Sequence, residues 1–299
     1  MKERGVLSVT YNRIQLLQEE IDSIRKQTYK NFDIIVVNNC STDGTKEWLE
    51  QQLDIHSIHV EPENIGPARA FAVGMKYIAE QGYKYCWLMD DDVECRSDAL
   101  EQLYNAYHEK DNIGFVCSKV IGVQGEPMNV PEIDSRPVSN GYSNYIELLD
   151  QGMLKVINCT FVSMFLSCET MFSLGLPLGE FYNWAVDTEY TRRLSQHNPC
   201  YYVNNSVVVH KRLIQGPLSF KSETNPLRLS YYMKFYRNLL YVKWKYNSKG
   251  IKGRTQILLS YLADMADSLF SFQFKLFVIQ LHAIINFIVL KPEIEYPVK

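Results

Sequence analysis

Residues 85–94 read YCWLMDDDVE. A short apolar run bounded by polar residues is the pattern of a buried strand, and here it passes without a break into Asp90, Asp91 and Asp92. Three adjacent carboxylates repel one another, so a fold that keeps them together implies a metal, a helix end or open water to relieve the charge. Side chains alternate along a strand, which puts Asp90 and Asp92 on one side, about 7 Å apart, and Asp91 on the other. The carboxyl ends of strands are where open α/β sheets bind ligands. Two carboxylates at that edge suit one hard divalent cation, Mn²⁺ or Mg²⁺, with diphosphate oxygens completing its shell. A solvated strand end would carry the same letters, so the neighbouring residues have to decide.

Those neighbours alternate strand and helix. GVLSVTY (5–11) reads as a strand, with Asn12 as the expected cap of a helix that places Ile14, Leu17, Ile21 and Ile24 on one face. FDIIVVNN (32–39) is a near-continuous apolar run, as in a parallel strand buried on both faces. IHV (58–60) reads as a third strand. Pro67 suits the first turn of the next helix and Gly82 its stop. After the aspartates, Ser97 is the expected cap of a helix with Leu100, Leu103, Tyr104 and Tyr107 inward, and IGFVCSKVI (113–121) is a further strand. The expectation is an α/β fold with a doubly wound, mostly parallel sheet.

Residues 122–145 are rich in Gly, Pro, Ser and Asn and read as a long surface loop. Order returns with KVINCTFVSMFLS (155–167), a helical start at Asp187 and the strand YYVNNSVVVH (201–210); 211–227 reads as a second loop. From 228 the chain reads as helices only, giving a catalytic unit over 1–227 and a helical region over 228–299. Within that region SLFSFQFKLFVIQLHAIINFIVL (268–290) has the length of a membrane span, but Gln273, Lys275, Gln280, His282 and Asn286 are costly at mid-membrane depth. A helix packed in a helical domain or lying on a membrane surface is the expectation.

The chain has 299 residues, and its formal net charge of −3 offers no electrostatic footprint for nucleic acid. Seven unpatterned cysteines fit reduced thiols, and the opening residues lack the apolar run of a secretory signal. The expected location is the cytoplasm, with peripheral contact to the inner face of the cell membrane through the helical region. Oligomeric state leaves no mark in the sequence.

VTYNR (9–13), QTYKNFDIIVVNNCSTDGT (27–45), NIGPARA (64–70) and WLMDDDVE (87–94) stand in an order and spacing that resemble the nucleotide-binding half of a family 2 glycosyltransferase with the GT-A fold. The later FYNWAVDTEYTRRL (181–194) looks most like the galactofuranosyl- and rhamnosyltransferase branch. The resemblance implies transfer of galactofuranose, a hexopyranose or rhamnose from a nucleotide diphosphate sugar, a UDP-sugar before dTDP-rhamnose, to a lipid-linked or oligosaccharide acceptor.

It also implies roles by position. Thr10, Asn38, Asn39 and Asp91 fall on the donor side, with Arg13 near the diphosphate. Asp90 and Asp92 hold the metal and donor, and His210 is a third metal ligand. Asp187 is the catalytic base, while Trp184 and Glu189 flank the acceptor. Lys211 and Arg212 lie where they would meet the diphosphate. The branch usually carries two acids where this chain has Val186 and Asp187, so one is lost. That loss is the only support for a catalytically impaired nucleotide-binding scaffold. A sugar nucleotidyltransferase would want a Gly-rich loop after the first strand, and SVTYNRIQ (8–15) contains no glycine. A lone carboxylate base suits a single inverting displacement, whereas a retaining hydrolase needs a carboxyl pair across the bond.

Overall fold

The computed structural model describes residues 3–212, 220, 223–247 and 250–299. Most of the loop expected over 211–227 lies outside the described residues. The first half is a run of strands and helices: β1 (Arg4–Thr10), α1 (Ile14–Arg25), β2 (Phe32–Asn38), α2 (Thr45–Leu49), β3 (Ile55–His59), α3 (Pro67–Glu80) and β4 (Tyr85–Asp90). Then follow β5 (Val93–Cys95), α4 (Ala99–Tyr107), β6 (Val116–Ile121), β7 (Met153–Lys155), β8 (Met164–Ser167), α5 (Cys168–Leu174), α6 (Val186–Ser195) and β9 (Tyr201–His210). The helical region holds α7 (Pro226–Val242), α8 (Gly250–Phe270) and α9 (Phe274–Val289).

Among the described residues all nine strands join one sheet in the order β3-β2-β1-β4-β8-β6-β9-β5, with β7 also on β9. β3, β2, β1 and β4 run parallel, and β8 enters antiparallel between β4 and β6. Strand alternation explains why the sheet is covered on both faces. Val6, Ile34, Val36, Trp87 and Met89 point to the side closed by α1 and α4, where Leu17, Ile21, Ile24, Leu100 and Leu103 meet them. Leu7, Ile35, Val37, Cys86 and Leu88 point to the other side, under α3, α5 and α6. Val242 of α7 joins that second core, so the helical region is anchored in the same apolar packing.

Four local expectations need correction. Asn12 is not the cap of α1: it takes a left-handed φ of 55°, and Asp43 Oδ2, from the loop after β2, accepts the Ile14 N–H at 3.0 Å. Ser97 does not cap α4, whose boundary residue is Asp98, without a side-chain capping bond. β4 ends at Asp90, so Asp91 and Asp92 lie in a tight turn into β5. The stretch 268–290 is not one helix either. The chain breaks at 271–273, where Phe272 has φ 57°, and no described helix is long and apolar enough to cross a membrane.

Candidate active site

The turn after β4 sorts the three aspartates by partner. Asp91 turns inward: Thr10 Oγ1 donates to its Oδ2 at 2.7 Å, and Arg13 Nη1 lies 3.1 Å from its Oδ1. The same Arg13 nitrogen is 2.9 Å from Asp92 Oδ2, so one guanidinium bridges two acids. Asp92 owes its other partner to strand pairing. β5 runs antiparallel to β9 with Val93 opposite His210, which sets His210 Nε2 3.0 Å from Asp92 Oδ1. Ligand atoms of Asp90, Asp92 and His210 all lie within 4.8 Å of one another. Asp90, Asp92 and His210 thus meet through a turn and a distant strand, not through strand alternation, and Arg13 contacts Asp91 and Asp92 alike.

These residues fit a divalent cation. His210 Nε2 and Asp92 Oδ1 stand at ion-pair distance but off hydrogen-bond alignment, which leaves Asp92 Oδ1 buried without a donor. Two neighbouring ligands of an octahedral ion, each about 2.1 Å from it, would lie about 3.0 Å apart. On the far side of the ring, His210 Nδ1–H donates to Asn129 Oδ1 at 2.9 Å, which turns the Nε2 lone pair towards the acids. Asn129 lies in the 122–145 loop and has no signal in the sequence beyond being one polar residue among many.

The electrostatics point the same way. Burial, then the neighbouring Asp92 charge, pushes Asp90 up to about 7. Burial raises Asp91 to about 6 against the pull of Arg13. Burial also works against the Asp92 charge, but His210 and Arg13 outweigh it and keep that carboxyl below its usual range. His210 is desolvated, yet Asp92 and Asp90 raise it above an ordinary histidine. Such a packed acid set is relieved when a dication takes the place of protons. Lys211 and Arg212 divide: Lys211 is held by Glu19 and Glu94 at 2.7 Å each, whereas Arg212 feels the fields of Arg228, Asp92 and Asp90.

The remaining donor-side residues are stitched into loops. Asn38 accepts the Ser41 N–H and donates to His59 Nδ1. Asn39 donates to Asn64 and accepts the Ile65 N–H, which ties the end of β2 to the NIGP turn. Gly66 closes that turn at φ +81°; a Cβ there would meet the Tyr182 carbonyl oxygen at 2.5 Å. Ala68 N–H donates to the same carbonyl, so the NIGP turn and the segment before Asp187 are packed together.

Two non-glycine residues in that segment, Tyr182 (φ 64°) and Ala185 (φ 70°), hold left-handed conformations just before α6. Asp187 follows in the first turn, and its Oδ1 accepts the Thr188 N–H at 2.7 Å. Burial raises its pKa above that of a free aspartate. Val186, where the resembled branch has an acid, is buried in the core beneath α3. Trp184 packs against Tyr231, Tyr232 and Phe235, with the Arg228 guanidinium over its ring.

Glu189 does not come to an opening as an acceptor contact would have to. It is fully buried, paired with Arg193 at 3.1 Å, and accepts the Tyr246 hydroxyl. Arg193 also donates to the Leu174 and Leu176 carbonyls, so the pair pins α6 to the end of α5. Arg193→Met, which leaves that carboxylate only the Tyr246 hydroxyl and Lys245 at 3.6 Å, is expected to lower stability by about 3 kcal/mol in urea unfolding.

The model of glycosyl transferase family 2 matches residues 6–168. Glycosyltransferase GlyA of Streptococcus pneumoniae is 34% identical over 101 residues, 33% of this chain and 14% of GlyA. Abequosyltransferase RfbV of Salmonella typhimurium is 28% identical over 116 residues, 37% of this chain and 34% of RfbV. The chain thus spans well under half the length of either relative. Among solved structures, S. aureus TarS 1-349 in complex with UDP superposes with a TM-score of 0.58 at 18% identity, over 88% of this chain and 71% of that one. Its complex with UDP-GlcNAc gives 0.57 at 16% identity, over 88% and 72%. At such identity the likeness is one of fold.

Proposed function

The chain belongs to glycosyl transferase family 2, and we propose that it moves a sugar from a nucleoside diphosphate donor to a hydroxyl of a surface-glycan precursor, with inversion and with help from Mn²⁺ or Mg²⁺. The observation that carries this reading is the convergence of Asp90, Asp92 and His210 at the carboxyl edge of β4, with Arg13 bridging the acids beside them. UDP-sugars are the favoured donors, since UDP and UDP-GlcNAc are the ligands of the TarS complexes that share this fold.

Asp90, Asp92 and His210 would hold the cation. A bound dication supplies positive charge against the leaving diphosphate. Arg13 and Arg212 add fixed positive charge on the same side, and Arg13 can turn from the aspartates to phosphate, since half of its side chain is exposed. Asp187 takes the proton of the acceptor hydroxyl as that oxygen attacks the anomeric carbon. Its raised pKa makes it a stronger base than a free aspartate. Trp184, at the turn that delivers Asp187, offers the acceptor ring an aromatic edge.

A panel of UDP- and dTDP-sugars, run with Mn²⁺, with Mg²⁺ and with chelator, tests this reading. One donor is expected to be consumed in a metal-dependent manner, and linkage analysis of the product should show the opposite anomeric configuration. Transfer unaffected by chelator, or retention in the product, would remove the metal or the single displacement from the reading.

A further inference from the structure

We propose that the outer face of α8 and α9 docks on an anionic lipid surface. The observation is a helix that is apolar on the wrong side. α9 buries Leu276, Gln280 and Ala283, with Phe277, Ile284 and Phe287 packed around the small core formed with Tyr261 and Met265. Its opposite side carries Phe274, Val278, Leu281, Ile285, Ile288 and Val289, between 38% and 72% exposed. Their spacing of three and four puts them in one stripe along four helical turns. α8 repeats the pattern with Leu259, Leu262 and Leu269 exposed. At the corner between the helices Phe270 and Phe272 are about four-fifths exposed. Single exposed apolar residues need no explanation, but continuous stripes on adjoining helices mark an interaction surface.

The occupant follows from length and charge. α9 has 16 residues, about 24 Å, short of the roughly 30 Å hydrocarbon core, so it lies along a bilayer rather than across it. Between Arg228 and Lys291 ten lysines and arginines stand against two acids, Asp264 and Asp267; the rest of the chain has 21 basic residues against 32 acidic ones. Lys243, Lys252, Arg254, Lys275 and Lys291 are exposed, with no carboxylate partner among the described residues. A second copy applied to this face would bring like charges together. An anionic leaflet attracts them and takes up the stripe and the corner phenylalanines.

The face is also held rigidly to the catalytic body. Leu290 and Ile294 pack on the core beneath α3, Leu176 N–H donates to the Glu295 carbonyl, and Lys76 pairs with Glu295 at 2.6 Å. An apolar groove lined by Phe220, Leu229, Phe274, Val278 and Ile279 opens off the stripe. From it an aromatic relay runs through Phe220 and Tyr232 to Trp184, with centroids 5.4 and 5.1 Å apart. Docking would therefore set the turn that carries Asp187 close to lipid-borne acceptors. The docking itself does not depend on the transfer reaction.

Flotation of the full chain with vesicles of phosphatidylcholine, alone or with phosphatidylglycerol, tests it at low and high salt. Co-flotation is expected with the anionic vesicles, at least about tenfold above neutral ones, and most of it should be lost at high salt. Ile285→Ser with Ile288→Ser, both at exposed positions, should cut partitioning about tenfold with unchanged circular dichroism. Lys275→Glu should weaken it severalfold without touching the stripe. No flotation with anionic vesicles, or equal flotation of the double variant, overturns the proposal. Self-association that the double variant abolishes, in place of flotation, overturns it in favour of a second copy. Failure of the donor panel above would leave these outcomes unaffected.

Discussion

Asp187→Asn should reduce sugar transfer about a thousandfold or more while leaving UDP affinity and its metal dependence within about twofold of the parent, the range for loss of a general base. Asparagine keeps the shape and the acceptor oxygen that meets the Thr188 N–H at 2.7 Å, so the first turn of α6 is preserved. It cannot accept the hydroxyl proton. The pH profile supplies a second readout. Burial raises the Asp187 pKa above that of a free aspartate, and the base must be ionised to act. Activity of the parent should therefore fall as pH drops through that raised value, and the residual activity of the variant should lack this acid limb. Measured turnover equal to the parent would end the role of Asp187 as base, and the buried Val186 beside it offers no substitute.

Asp92→Asn should weaken metal-dependent donor binding about a hundredfold, as read by calorimetric titration of UDP with and without Mn²⁺. This carboxylate serves both sides of the site, His210 at 3.0 Å and Arg13 at 2.9 Å. The amide fits the same space but removes the charge that holds His210 above its ordinary pKa. His210→Ala should produce a smaller loss, about tenfold, confined to titrations that contain metal. If both variants bind UDP as the parent does with Mn²⁺ present, the cluster is not a metal site.

How much of this was legible in the sequence depends on the distance over which each interaction acts. Apolar runs such as FDIIVVNN and YCWLMD announce strands because alternation and burial are local properties. The place of the aspartates at the end of a strand was legible for the same reason, but the turn that sorts them by partner was not. Asn129, by contrast, reaches His210 across 81 residues, and no period or turn rule marks it. Asp43 replaces Asn12 at the start of α1 because a carboxylate brought in from the next loop meets the Ile14 amide, while Asn12 spends its side chain on Thr42. Glu189 was expected at the acceptor; it stands four residues before Arg193, and only tertiary packing shows that the two form a buried pair. The apolar stretch 268–290 hides its break because Phe272, which turns the chain, is a bulky residue rather than the expected glycine or proline.

The pairing of β5 with β9 has a consequence for how the protein is made. Asp92 leaves the ribosome 118 residues ahead of His210. At about 5–20 residues per second, that leaves an interval of about 6–24 s during synthesis. Throughout it the acid-bearing turn exists without its imidazole, and β5 has no strand to lie against. A nascent chain halted before residue 201 should thus carry the aspartates yet respond to Mn²⁺ no more strongly than an unfolded acidic peptide. The metal response would appear only with the last strand of the sheet, as a late checkpoint in the birth of the enzyme.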